Sequence, residues 1–158
     1  MKTILKVGLL GMVGMLSGCG NSGAPTCVDE DVVGLVKQIA SDPLGTQLLG
    51  KYFAEDLTQG NGDIASFAMQ YPAWGYKEWK EKSQISNKPF QDMITSVTHD
   101  LGKMNVTAIR SNGVNNAAQK VSCGAQLEIP GLRAYPVDYT AQYTEDDQVW
   151  VEVSGLPQ

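Results

Sequence analysis

The chain is poor in catalytic side chains. It has one histidine, His99, in 158 residues, and no Gly-x-Ser-x-Gly turn to present a serine nucleophile. His99 sits between Thr98 and Asp100 near the end of a helical pattern, where a cation complements the helix dipole. Its plain reading is an exposed or capping histidine. Cysteine is also scarce, with only Cys19, Cys27 and Cys123. No Cys-x-x-Cys or His-x-x-x-His spacing occurs, so the usual zinc arrangements are excluded. Gly60-Asn61-Gly62 lacks the lysine of a phosphate-binding loop. The acidic turns at Asn61, Asp63 and Glu145-Asp146-Asp147 lack the spacing of a calcium loop. Glu78 and Glu81 share a helical face, but Lys77, Lys80 and Lys82 beside them describe a solvated surface rather than an acid pair. These absences predict a protein that is not an enzyme and needs no metal or cofactor.

Positive charge is in short supply too. Twelve basic residues face 17 acidic ones, for a net charge of −5. Nucleic acid demands a clustered basic surface, so it is not expected as a partner. Long apolar runs are missing as well. The longest candidate, Val7 to Met15, is diluted by glycine and far shorter than the roughly 20 residues needed to span a bilayer.

That short run has a context. Lys2 and Lys6 precede it, and small residues follow, which describes a secretory signal over residues 1–18. Leu16-Ser17-Gly18-Cys19 then resembles the lipobox of bacterial lipoproteins. The resemblance implies a diacylglycerol on the Cys19 thiol, cleavage before it and acylation of the new amino group, for example with palmitate. Several acyl chains anchor stably where one does not. The alternatives are an ordinary secretory signal with Cys19 in a disulfide, or a buried N-terminal helix. Gly20 stands where inner-membrane retention usually shows Asp, so the family rule favours the outer membrane, facing the periplasm.

Cleavage would leave 140 of the 158 residues and, without Lys2 and Lys6, a charge of −7. That length suits one domain. Residues 19–26 read as a flexible tether, and 27–158 as the domain. With Cys19 lipidated, Cys27 and Cys123 remain as an even pair in an oxidising compartment, which predicts a disulfide. Closing so long a loop contributes roughly 4–5 kcal/mol on the chain-entropy model. Two free buried thiols are the alternative.

Residues 27–101 are mainly helical in pattern. Thr26 caps a first helix whose apolar stripe is Val28, Val32, Leu35, Val36 and Ile39. Asp42-Pro43 breaks it and starts a second, with Leu44, Leu48, Leu49 and Phe53. Ile64, Phe67, Ala68 and Tyr71 fit a short helix, and 64–86 as a whole reads as an exposed loop plus a short helix. Phe90, Met93, Ile94, Val97 and Leu101 make a further helix, ended by Gly102. From 103 to 156 the period becomes two. Four alternating sets follow: Met104 to Ile109, Val121 to Ile129, Tyr135 to Tyr143, and Val149 to Val153. Residues 111–116 read as a loop between the first two. Short connections predict an antiparallel four-stranded meander. The fold class is therefore α+β, with N-terminal helices packed on a C-terminal sheet. Such a layout is similar to cystatin-like and NTF2-like shapes.

The segments Val121–Leu127, Pro136–Asp146 and Trp150–Leu156 also resemble small uncharacterised lipoproteins of Proteobacteria. These share a lipobox, a cysteine soon after it and a second cysteine on a late strand. The resemblance carries no catalytic residues.

The candidate contact site is aromatic. Trp74, Tyr76 and Trp79, with Tyr71 nearby, crowd the segment with the weakest pattern. Tryptophan and tyrosine are common interface anchors; the alternative is that they cover the sheet's open end as core. Two functional expectations follow. The first is a lipid-anchored, non-enzymatic module binding an envelope protein, with an immunity or exclusion role as one form. The second is a periplasmic carrier or sensor of a small apolar ligand.

Overall fold

The computed structural model describes residues 23–60, 62–70, 74–82 and 88–157. The signal, Cys19 and Tyr71 lie outside these residues. Four helices precede four strands, in the α+β order the sequence reading expects.

Helix α1 spans Glu30–Thr58 without a break. The sequence reading splits it at Asp42-Pro43, because an interior proline costs a helix about 3 kcal/mol. Packing overrides that cost. Val32, Val36, Ala40, Leu44 and Leu48 recur every four residues and are all buried, so one stripe runs straight through Pro43. The start of α1 also differs. Its N-cap is Asp29 rather than Thr26. Thr26 instead donates its backbone N–H to the Asp29 carboxylate at 2.8 Å, in a turn before the helix. Val28 sits in that turn and is 67 % exposed, outside the stripe assigned to it.

Within the segment read as an exposed loop plus a short helix, the described residues form two short helices, α2 (Asp63–Ala68) and α3 (Tyr76–Glu81). Helix α4 (Lys88–Gly102) follows, burying Phe90, Met93, Ile94, Val97 and Leu101. Helix α1 lies against α2, α3, α4 and the last strand.

The strands are β1 (Asn105–Asn115), β2 (Lys120–Glu128), β3 (Tyr135–Tyr143) and β4 (Val149–Ser154). They pair in the order β1-β2-β3-β4, all antiparallel. Strand β1 continues through the residues read as a loop, 111–115. Register shifts at Thr107/Arg110 and Ser111/Gly113, with Ala108 at φ 49°, break its period of two and hide it from pattern reading.

Register fixes the two faces of the sheet. Cys123 pairs with Tyr139 and Tyr139 with Val153, while Val121 pairs with Ala141 and Ala141 with Val151. These rows face the helices. The opposite face carries Ser122, Thr140 and Glu152, then Lys120, Gln142 and Trp150, and is polar apart from the tryptophan. The buried apolar residues form one cluster running from Cys27 to Val151. The cluster draws on no described residue before Cys27.

Candidate functional site

Three features of the domain bear on function: the pinned start of α1, the aromatic layer under α1, and two apolar depressions on the surface.

Cys27 and Cys123 are joined by a disulfide, with Cα atoms 5.8 Å apart. It ties the segment before α1 to the inner face of β2. The Tyr139 hydroxyl donates to the Cys27 carbonyl at 2.7 Å, a buried bond from the neighbouring strand. Burial holds the Tyr139 phenol above its usual pKa, so it remains a donor at neutral pH. The point where the tether meets the domain is therefore held by one covalent and one polar link.

The aromatic residues singled out in the sequence are brought together, with most of their surface turned inward. Trp79 is 2 % exposed and Tyr76 is buried, while Trp74 is half-buried. Trp79 meets Phe90 at 4.5 Å between ring centroids, Trp74 at 4.8 Å and Phe67 at 5.8 Å. Tilted and edge-on contacts of this kind favour aromatic pairs. The cluster sits among the helices, locking α2, α3 and α4 together, rather than over the open end of the sheet.

Sequence reasoning misses how α3 and α2 are held. Two aspartates of α1 cap the starts of these helices. The Asp42 carboxylate accepts the Lys77 N–H at 2.9 Å, and the Thr46 hydroxyl accepts the Tyr76 N–H at 3.0 Å. Fourteen residues on, buried Asp56 accepts the N–H groups of Ile64 and Ala65 at 3.2 and 3.3 Å. Each carboxylate satisfies donors that a helix start leaves unpaired. An aspartate before a proline reads locally as a cap for its own helix; nothing in the local pattern points 35 residues away. Gly45 completes the dock. A methyl built there would lie 2.5 Å from Cγ of Tyr76, so only glycine admits the ring.

The other reactive groups have structural work. Thr98 gives its proton to the Ile94 carbonyl at 2.7 Å, so the 2.8 Å contact with Tyr76 is donated by the tyrosine. Tyr52 donates to Asp100 at 3.0 Å, linking α1 to α4. Burial alone would raise the Asp100 pKa, but hydrogen bonds from Tyr52 and Lys103 and the Lys103 charge outweigh it and hold the carboxyl below its ordinary value. Burial, then the hydrogen bond to Asp100, raises Tyr52. His99 is exposed and lies 3.4 Å from Asp100. Glu78 reaches back to the Gly75 N–H at 3.0 Å, which closes the start of α3. Among the described residues, no three His, Cys, Asp or Glu side chains gather to hold a metal, and no helix is long and apolar enough to cross a membrane.

Two of the surface depressions are lined mainly by apolar side chains. The first, about 260 Å³, is lined by Phe53, Leu57, Ala65, Met69, Trp74 and Trp79. Leu57 and Met69 at its rim are 50 % and 68 % exposed. The Lys82 ammonium stands 4.5 Å from the Trp74 ring centroid beside it. The second, about 380 Å³, lies next to Cys27 and is bounded by Ala24, Pro25, Val28, Ile109, Val114 and Val121.

No family model, no curated protein and no solved structure matches this chain, so its function rests on its own residues.

Proposed function

We propose that the chain is a lipid-anchored, non-enzymatic protein of the bacterial envelope that binds another protein through the cleft around Trp74. The observation that carries this reading is the separation of tether and cleft. The tether joins the domain just before α1, while Phe53 and Leu57, which line the cleft with Trp74 and Trp79, lie in its last two turns. A helix rises 1.5 Å per residue, so Phe53 and Leu57 stand about 35–40 Å along α1 from its first residue. A domain held at Cys19 would carry the cleft away from the membrane.

The make-up of the cleft supports a protein contact over a stored ligand. Its 260 Å³ falls below the roughly 300–1,000 Å³ of small-molecule pockets. Exposed Met69 and Leu57 around a half-buried tryptophan describe a socket for an apolar anchor side chain. Lys82 at the rim favours an acidic neighbour on the partner. Cys27 and Cys123 are joined in a disulfide, and Glu78 closes the start of α3.

A photo-crosslinking residue at position 69, in cells making the full chain, tests this. The expected result is one discrete protein adduct in the membrane fraction, lost on Leu57→Glu while circular dichroism is unchanged. The same residue at position 150, on the outer sheet face, should not form it. Equal adducts from both positions, or none from position 69, would overturn the reading.

A further inference from the structure

The groove beside Cys27 differs from the cleft in place and chemistry. It lies on the inner side of the sheet, at the end of β1 past the bulges. Val114 pairs with Val121 there, yet Val121 is buried and Val114 is 59 % exposed. The wall opposite β1 comes from the segment Ala24–Val28, where the end of the tether passes into the domain before α1. Val28, also exposed, belongs to that wall. No charged side chain lines the groove. The adjoining depression, in contrast, is acidic, with Asp29, Glu30 and Asp31 around Gly23 and Ala24. An anionic lipid surface would be repelled at this end of the domain, whereas neutral hydrocarbon fits the groove itself.

The occupant is fixed by where the chain enters. Cys19 is five residues before Ala24. At up to about 3.6 Å per residue, its sulfur stays within roughly 18 Å of the groove wall. We infer that the groove holds one of the acyl chains carried by Cys19, an inference that rests on the lipid-anchor reading above. Its volume of about 380 Å³ lies in the range of pockets for single small ligands, so one chain is sheltered and the others are left for the bilayer. The disulfide and Tyr139 bond give this site a rigid wall.

The test uses two forms: the full acylated protein, and a chain starting at Gly20, which keeps the complete core. Intact mass first establishes acylation. The methyl ester of cis-parinaric acid, a neutral fluorescent acyl chain, is then titrated into the unacylated chain. One molecule should bind per chain, and Val114→Glu should weaken binding at least tenfold while Val114→Ile retains it. In a common detergent, amides of 109–114 should exchange at least fivefold more slowly in the acylated protein than in the unacylated chain. An acylated protein whose Gly20 form takes up no probe, or whose 109–114 amides exchange equally in both forms, overturns the groove assignment alone. A mass without acyl chains overturns the anchor reading and this inference with it.

Discussion

The Tyr139 hydroxyl holds the carbonyl of Cys27, 112 residues earlier in the chain, at 2.7 Å in a buried site. Removing the hydroxyl leaves that carbonyl without its partner. Tyr139→Phe should therefore cost about 1–2 kcal/mol, measured by urea unfolding under oxidising conditions. An unchanged midpoint would mean that water replaces the phenol.

The disulfide beside it gives a sharper test. Cys27→Ser and Cys123→Ser should each lose about 2–5 kcal/mol, by similar amounts. The double substitution should cost little more than either, because both remove one bond. Additive losses would contradict a shared bond.

Two glycines look alike in sequence and should behave differently. Gly45→Ala drives a methyl into the Tyr76 ring, which is held by its own hydrogen bond to Thr98. A loss of about 1–3 kcal/mol is expected, with a change in tryptophan fluorescence as α3 shifts. Gly124→Ala meets the guanidinium of exposed Arg110, the far end of a flexible chain. Gly124 is itself buried beneath that chain, and because the guanidinium can swing into solvent the change should cost less than Gly45→Ala. Thermal unfolding of the two variants separates them.

Asp100 supplies a pH dependence. Its folded pKa lies below the unfolded value of about 3.9, so it stabilises the fold above that pH. The contribution is lost as pH falls through the folded pKa. Tyr52 is raised, so its contribution is complete below about pH 10 and is lost as pH rises through its folded pKa. Tyr52→Phe should therefore destabilise the protein at neutral pH and have a smaller effect as pH falls through the folded pKa of Asp100. A cost that stays constant across this range would show that the Tyr52–Asp100 bond carries no linkage.

Much of this architecture is legible in the sequence, and the reasons it stops being legible are physical. Alternation over Val121–Leu127 and Tyr135–Tyr143 gives the sheet and its buried face, because each strand keeps a strict period of two. The first half of β1, to Ile109, is read as a strand, but its continuation to Asn115 escapes because two register shifts move its side chains off that period. Pro43 misleads because local propensity reads a break where a buried stripe of five residues imposes continuity. The aromatic segment is recognisable by type, but its burial depends on Asp42, Thr46 and Gly45, some thirty residues away. The groove beside Cys27 has no local signal, since β1 and the tether meet only through the fold.

Intact mass of the protein extracted from cell membranes, beside its Cys19→Ser variant, tests the central claim most directly. The account predicts a chain beginning at Cys19 that carries three acyl groups, is two hydrogens lighter than the free dithiol and is confined to the membrane fraction. The variant should carry no acyl group. An unacylated wild-type chain in the soluble fraction would contradict it.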